Sequence, residues 1–295
     1  MKKGIWYAVG AYFLWGLFPV YWKWLHNVPA LQLLAHRIGW SFLLLLIVIF
    51  ITKLWSAFRA ATLTWHVLSI YLISAILLGI NWLTYVWAIN AGFIVETSLG
   101  YFINPLISVV MGVIFLRERL RLWQWLPVGL AAGGVLYLTL VYGSLPWIAL
   151  TLAFSFALYG LIKKVAPLDA LFGLTLETGI LFLPALGYLL FTEATRNGAF
   201  LQAGFTTDIL LVGAGAVTTF PLLLFAAGAR RIPLSMVGIL QYITPTLQFL
   251  LGVLVYKEPL PVTRQIGFGA VWIALLIFGI EGYFAHRGRV MAATD

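Results

Sequence analysis

Two stretches of the chain, FINPLISVVMGVIFLRERLRLWQWLPVG at 102–129 and YITPTLQFLLGVLVYKEPLPVTRQIGFG at 242–269, align without a gap after a shift of 140 residues. Seven of the 28 positions coincide: Ile103 with Ile243, Pro105 with Pro245, Gly112 with Gly252, Val113 with Val253, Glu118 with Glu258, Leu120 with Leu260 and Gly129 with Gly269. Shared apolar composition produces chance matches among leucines and valines. It does not align a mid-segment proline, a glycine seven residues on and a glutamate six beyond that. The stretch is therefore one half of an internal duplication.

Around these two copies the chain reads as apolar segments at 4–22, 31–51, 67–89, 94–116, 123–141, 145–162, 168–190, 208–228, 232–256 and 263–283. A membrane-spanning helix needs about 20 mainly apolar residues, because the hydrocarbon core is about 30 Å thick and a helix rises about 1.5 Å per residue. Composition agrees: 63% of the 295 residues are apolar and 9% charged, against about 45–50% and about 25% in a soluble domain. So few charges cannot coat a water-facing surface. The first segment follows Lys2 and Lys3 but ends in Trp22, Lys23 and Trp24 rather than at a small-residue cleavage site, and so reads as an uncleaved first helix.

The fold class that follows is an all-α polytopic membrane protein of ten transmembrane helices. It divides into five-helix repeats at 1–141 and 145–284, with a short tail at 285–295. Five is odd, so the second repeat enters the membrane upside down. Inverted repeats are a recurring plan of secondary transporters, whose substrate sites lie near the midplane where the copies meet. Charge sets the orientation. With the N-terminus inside, inner segments hold Lys2, Lys3, Lys53, Arg59, Arg117, Arg119, Arg121, Lys163, Lys164, Arg230, Arg231, Arg287 and Arg289, and outer ones hold Lys23, Arg196, Lys257 and Arg264. This asymmetry is the positive-inside pattern, with both termini cytoplasmic. Arg119 and Arg121 become Pro259 and Pro261 in the second copy, where the loop falls outside. The net charge of +9 thus serves topology and gives no reason to expect a nucleic-acid partner.

Ser98, Tyr101, Pro105, Ser108 and Gly112 share one helix face, as do Gly238, Gln241, Pro245, Gln248 and Gly252. Small and polar residues along one stripe of a membrane helix indicate a helix contact or a cavity, not lipid. The glycines and prolines fit tight packing; the long polar members Tyr101, Gln241 and Gln248 fit a cavity wall.

The duplicated Pro–Gly–Glu pattern resembles the drug/metabolite transporter superfamily and its paired EamA domains. Five further stretches resemble the RarD branch: Leu14-Trp15-Gly16-Leu17-Phe18-Pro19, Ala35-His36-Arg37, Asn81-Trp82-Leu83-Thr84-Tyr85, Gly100-Tyr101-Phe102-Ile103-Asn104-Pro105, and Gln241-Tyr242-Ile243-Thr244-Pro245-Thr246. The resemblance covers nearly the whole chain. It implies an inner-membrane exporter of small organic metabolites or drugs, with a central cavity lined by spans 1–4 and 6–9. Members of the branch carry the label chloramphenicol-sensitive, which names no substrate.

Charges inside a membrane segment are functional-site hypotheses by default. Arg37 and Glu177 stand deepest, at about 10 Å from the outer and about 14 Å from the inner face, which leaves about 6 Å between their depths. Two arrangements fit: a direct ion pair, or Arg37 holding an anionic group while Glu177 takes an amine or a coupling proton. Glu96 suits a helix N-terminus. The substrate-binding set expected from the sequence is Arg37, Glu177, Asn81, Trp82, Tyr85, Tyr101, Asn104, Gln241, Tyr242 and Gln248, with Pro105 and Pro245 as hinges. The expected partners are a small-molecule substrate, the lipid bilayer and a coupling proton. Gly129 and Gly133 form a small-residue stripe compatible with a homodimer.

With no cysteine, four histidines, no Gly-x-Ser-x-Gly elbow, no His-Glu-x-x-His and no P-loop, neither an intramembrane enzyme nor an ATP-driven pump is expected. No metal or cofactor is implied. A channel or facilitator is the alternative to a carrier.

Overall fold

The computed structural model describes residues 2–62, 64–91, 93–120, 122–142, 146–257 and four helical positions at 269, 272, 273 and 277. Most of the segment at 263–283, the tail at 285–295, Glu258, and the side chains of Glu96 and Ser98 lie outside the described residues. Within them the chain forms α1 (Lys2–Gly16), α2 (Phe18–Trp24), α3 (Ala30–Ile51), α4 (Trp55–Thr62), α5 (Trp65–Asn90), α6 (Ile94–Phe115), α7 (Leu122–Tyr142), α8 (Trp147–Val165), α9 (Ala170–Ala194), α10 (Phe205–Ala229), α11 (Leu234–Leu240) and α12 (Ile243–Leu250), followed by a π-helical turn at Leu251–Val255.

Local sequence explains where helices begin. Pro29, Pro146 and Pro233 immediately precede α3, α8 and α11, positions where the missing proline N–H costs nothing. Asp169 accepts the Phe172 N–H at 2.8 Å to cap α9. Among the described residues six stretches are long and apolar enough to cross a bilayer: Ala30–Ile51, Trp65–Ile89, Trp147–Val165, Ala170–Ala194, Phe205–Ala229 and Leu234–Val255. The first span is divided at Leu17, with Pro19 in the first turn of α2. The connection at 52–66 contains the short helix α4, in addition to the expected spans.

The helices repeat in register. α3 and α9 begin at Ala30 and Ala170, α5 and α10 at Trp65 and Phe205, and α6 and α11 at Ile94 and Leu234, each pair separated by the 140 residues of the sequence repeat. Contacts repeat as well. α1 packs on α10 as α8 packs on α5, α3 on α10 as α9 on α5, and α6 on α8 as the α11–α12 span packs on α1. Two equivalent pairs pack on each other, α3 with α9 and α6 with α11. That is the pattern of a two-fold axis, where residue i meets j and j meets i.

Side chains mark the axis. Phe42 and its equivalent Phe182 lie with ring centroids 5.0 Å apart. A methyl group added at Gly179 would stand 2.9 Å from Phe42, and one at the equivalent Gly39 would stand 3.9 Å from Phe182. Tyr242 donates its hydroxyl to the carbonyl of its equivalent, Phe102, at 3.3 Å. A methyl group at Gly238 would reach the Pro105 carbonyl at 2.6 Å, so glycine sets the α6–α11 approach. Arg117 and its equivalent Lys257 both adopt left-handed backbone, with φ of 52° and 56°, where their helices end.

The two prolines at equivalent places differ in effect. Pro105 sits within the unbroken α6. Pro245 follows an interruption at Gln241 and Tyr242 that separates α11 from α12, four residues back, where a proline ring collides with the carbonyl and removes its donor. Another correction concerns Lys163: the sixth span extends to Val165, so Lys163 is 3% exposed inside α8 rather than a loop charge.

Candidate functional site

A cavity of about 270 Å³ opens within one half of the bundle. Its walls come from the end of α1 and from α2, the first halves of α3, α6 and α8, the second half of α5, the middle of α10, and α12 with the break before it. The lining side chains are Tyr12, Trp15, Phe18, Pro19, Trp22, Arg37, Asn81, Trp82, Tyr85, Thr97, Tyr101, Asn104, Leu152, Phe156, Thr218, Leu222, Gln241, Thr244 and Gln248, with Gly100. Gly100 lets α6 approach α8 closely: a methyl group there would stand 3.2 Å from the Ala149 carbonyl.

Arg37 is the cation of this cavity. Its Nε donates to Thr218 Oγ1 at 3.0 Å. Its guanidinium carbon lies 4.8 Å from the Trp22 ring centroid, 5.1 Å from Trp82 and 5.9 Å from Phe18, within cation–π range. Among the described residues no carboxylate pairs with it. Other polar groups in the walls are partly committed to the scaffold. Asn81 donates to the Leu152 carbonyl at 2.9 Å and to Ser155 Oγ at 3.0 Å, Thr244 to the Tyr12 carbonyl at 2.9 Å, and Gln248 to the Trp15 carbonyl at 3.3 Å. The Tyr12 hydroxyl is buried with no hydrogen-bond partner among the described residues.

The opposite half is filled. At the cavity floor Tyr12, Trp15 and Phe156 join Tyr159 and Phe225 in one aromatic cluster, with centroid separations of 5.3–6.2 Å, and beyond it pack Ala8, Leu45, Leu78, Ala157, Leu174 and Ala229. Polar ties fasten its end. Glu118, just past α6, accepts the Leu234 and Ser235 N–H groups at 2.6 and 2.9 Å and the Ser235 hydroxyl at 2.7 Å. This caps the start of α11 with a carboxylate, where the helix dipole favours one. Lys164 donates to the Ile232 and Ala229 carbonyls, and Arg230 to that of Leu168.

Glu177 belongs to this filled half and does not meet Arg37. It is wholly buried, with Lys163 Nζ at 2.7 Å, the Ser74 hydroxyl at 2.5 Å and the Tyr159 hydroxyl at 3.3 Å. The repeat relation places position 37 beside Thr218 and Trp82 in the open half and position 177 beside Ser74, Tyr159 and Lys163 in the filled half, a separation that counting residues along the spans does not resolve. Tyr242 also lies outside the cavity, since its ring is turned onto α6. The remaining eight residues of the expected binding set line the cavity together. Span 7, α9, contributes nothing to the lining among the described residues.

Reading the sequence alone passed over Tyr12, Thr97, Phe156 and Thr218. Thr218 carried a signal, since the Thr218-Thr219 pair interrupts an otherwise apolar span. The five stretches quoted for the RarD-like resemblance all reach the cavity, through Trp15, Arg37, Asn81, Tyr101 and Gln241 among others.

A helical, multi-pass membrane protein with a cavity closed at its far end is the build of a solute transporter. Residues 2–140 match the model of the EamA-like transporter family. The chain is 48% identical over 281 residues to "Uncharacterized transporter YojE" of Bacillus subtilis, covering 94% of this chain and 93% of that one. It is 43% identical to "Protein RarD" of Escherichia coli K12, over 97% of both chains, and 44% identical to "Protein RarD" of Streptomyces exfoliatus, over 99% of this chain and 94% of the other. A solved crystal structure shares the fold, with TM-score 0.67 at 18% identity over 93% of this chain and 96% of the other. The chain belongs to the EamA-like transporter family, in its RarD-like branch. It is a membrane transporter of small solutes, not an enzyme.

Proposed function

We propose that the protein is a secondary-active carrier that exports small organic metabolites or drugs by alternating access, and that the form described here faces outward. One observation carries this reading. The cavity occupies only one half of the bundle, while an aromatic cluster and the Glu118 cap close the other half, although the helices of the two halves are related by a two-fold. Exchanging the packing of the two repeats would open the filled half and close the open one, with little change inside each helix. In the inner membrane with both termini cytoplasmic, the open half faces away from the cytoplasm. The repeats at 1–141 and 145–284 are the units that exchange. Pro105 and Pro245 are the points about which α6 and the α11–α12 span pivot. A channel needs a path through both halves, and the cluster of Tyr12, Trp15, Phe156, Tyr159 and Phe225 lies across it.

The chain has no cysteine, so single-cysteine variants test the reading directly. A cysteine at Pro19, a partly exposed position of the cavity wall, should react with an impermeant reagent added outside. A cysteine at Ala157, in the filled half, should react from the cytoplasmic side only during turnover. Saturable counterflow in liposomes should accompany this switch. A cysteine at Ala157 that stays unreactive while flux proceeds would refute alternating access. Replacing Pro105 or Pro245 with alanine should slow exchange more than it weakens binding; unchanged transport in both reduces them to packing residues.

A further inference from the structure

The two repeats place charges of opposite sign at equivalent positions, Arg37 and Glu177, 140 residues apart. Their surroundings differ. Glu177 is sealed in and already neutralised by Lys163 at 2.7 Å. Arg37 faces the cavity, with Thr218 on its Nε and rings around it, and no carboxylate among the described residues answers its charge. Water can solvate it while the cavity is empty. A solute that fills the cavity displaces that water.

We propose that the solute is a small organic anion bearing a flat apolar ring, with the Arg37 guanidinium as its counter-charge. This rests on the carrier reading and deepens it. A neutral solute would strip Arg37 of water without replacing the lost interaction, and a cation would add repulsion; both raise the cost of a cation in a low-dielectric setting. An anion compensates it through charge-assisted hydrogen bonds. With Nε taken by Thr218, the two terminal nitrogens remain for a two-point grip on a carboxylate or sulfonate. The rest of the molecule is set by the walls. Trp15, Phe18, Trp22, Trp82 and Phe156 offer ring faces and edges, whereas Asn81, Thr244 and Gln248 have already spent donors on the scaffold. That suits a planar apolar group better than a polyhydroxylated one. The volume of about 270 Å³ lies just below the about 300–1,000 Å³ usual for ligand pockets, so the molecule is small.

The test uses one set of small probes on the full chain in lipid nanodiscs: benzenesulfonate, its neutral isostere benzenesulfonamide, cationic benzylamine, and methanesulfonate, which lacks the ring. Benzenesulfonate should bind about ten- to a hundredfold more tightly than benzenesulfonamide, the range expected for a charge-assisted hydrogen bond, with benzylamine and methanesulfonate weaker still. Arg37→Gln should erase the preference for the anion, and Arg37→Lys should keep part of it. Should Arg37→Gln fail to fold, benzenesulfonate should still protect a cysteine at Pro19 from modification at concentrations where benzenesulfonamide does not. The proposal is overturned by equal binding of the anion and the neutral isostere, by absence of benzenesulfonate binding, by methanesulfonate binding as tightly, or by an Arg37→Gln protein that keeps the preference. Counterflow separates this from the carrier reading. Benzenesulfonate that binds but never crosses sinks the carrier and leaves the anion site standing. Saturable counterflow of benzylamine without benzenesulfonate does the reverse.

Discussion

Removing Lys163 should destabilise the protein strongly, and removing Glu177 as well should restore much of what was lost. The two charges lie 2.7 Å apart at 3% and 0% exposure. At an effective dielectric of about 20 their attraction is about 6 kcal/mol, set against a desolvation penalty of several kcal/mol for each ion. The pair is therefore close to neutral as a unit and costly when halved. Lys163→Met leaves a lone carboxylate among Ser74, Tyr159 and apolar side chains, a loss of about 3–5 kcal/mol. Lys163→Met with Glu177→Gln removes both charges at similar volume and should stand within about 1–2 kcal/mol of the parent. Unfolding of detergent-solubilised protein, followed through the 13 tryptophans, would measure all corners of the cycle. Arg37→Met belongs in the same experiment. Because Arg37 and Glu177 have different partners, their substitutions should add within about 0.5 kcal/mol. A Lys163→Met protein as stable as the parent would refute the buried pair, and so would a double mutant that loses the sum of the singles. A large Arg37–Glu177 coupling would restore the ion pair that depth alone allowed.

Three further outcomes follow from the packing. Gly179→Ala should cost about 1–3 kcal/mol by overpacking against Phe42, while Gly39→Ala, with ordinary contact to Phe182, should be nearly neutral; equal effects in thermal unfolding would contradict the geometry at the axis. Glu118→Ala leaves the Leu234 and Ser235 N–H groups without their acceptor, so a cysteine at Ser235 should become several-fold more reactive from the cytoplasmic side, and unchanged reactivity would mean that the cap does not hold the closed half. Cysteines at 55–60 should be shielded from impermeant reagents in intact cells and those at 196–200 labelled; the opposite result reverses the proposed orientation.

The cavity and its surroundings show how far linear reasoning reaches. Tyr101, Gln241 and Gln248 could be picked from the sequence because a polar stripe on a membrane helix must face something other than lipid, and periodicity reports which side that is. Asn104 and Tyr242 rest instead on the stretches quoted for the resemblance, which do not say which of several neighbours faces the cavity. Adjacent residues point about 100° apart on a helix, and the stripe does not say where the neighbouring helix ends and the cavity begins. Thr218, which positions Arg37, lies 181 residues away, and nothing local to either residue joins them. Lys163 was hidden for a different reason. Whether the sixth span stops at 162 or continues one turn decides if that charge is in water or in the core, and segment ends are where apolar composition says least.

By itself the sequence determined the membrane class, the segmentation into spans and the inverted duplication. The first two follow from the bilayer, which requires about 20 apolar residues per crossing; the third is a comparison of the chain with itself. The tertiary structure alone decided which charges meet. Arg37 and Glu177 come within about 6 Å in depth by counting residues along their spans, but the repeat relation between α3 and α9 puts them on opposite sides of the point where the copies meet, one in the open half and the other in the filled half. Lys163 then reaches Glu177 from α8 because a buried carboxylate must be paired, and the nearest cation able to pay that desolvation cost is set by helix packing, not by order along the chain.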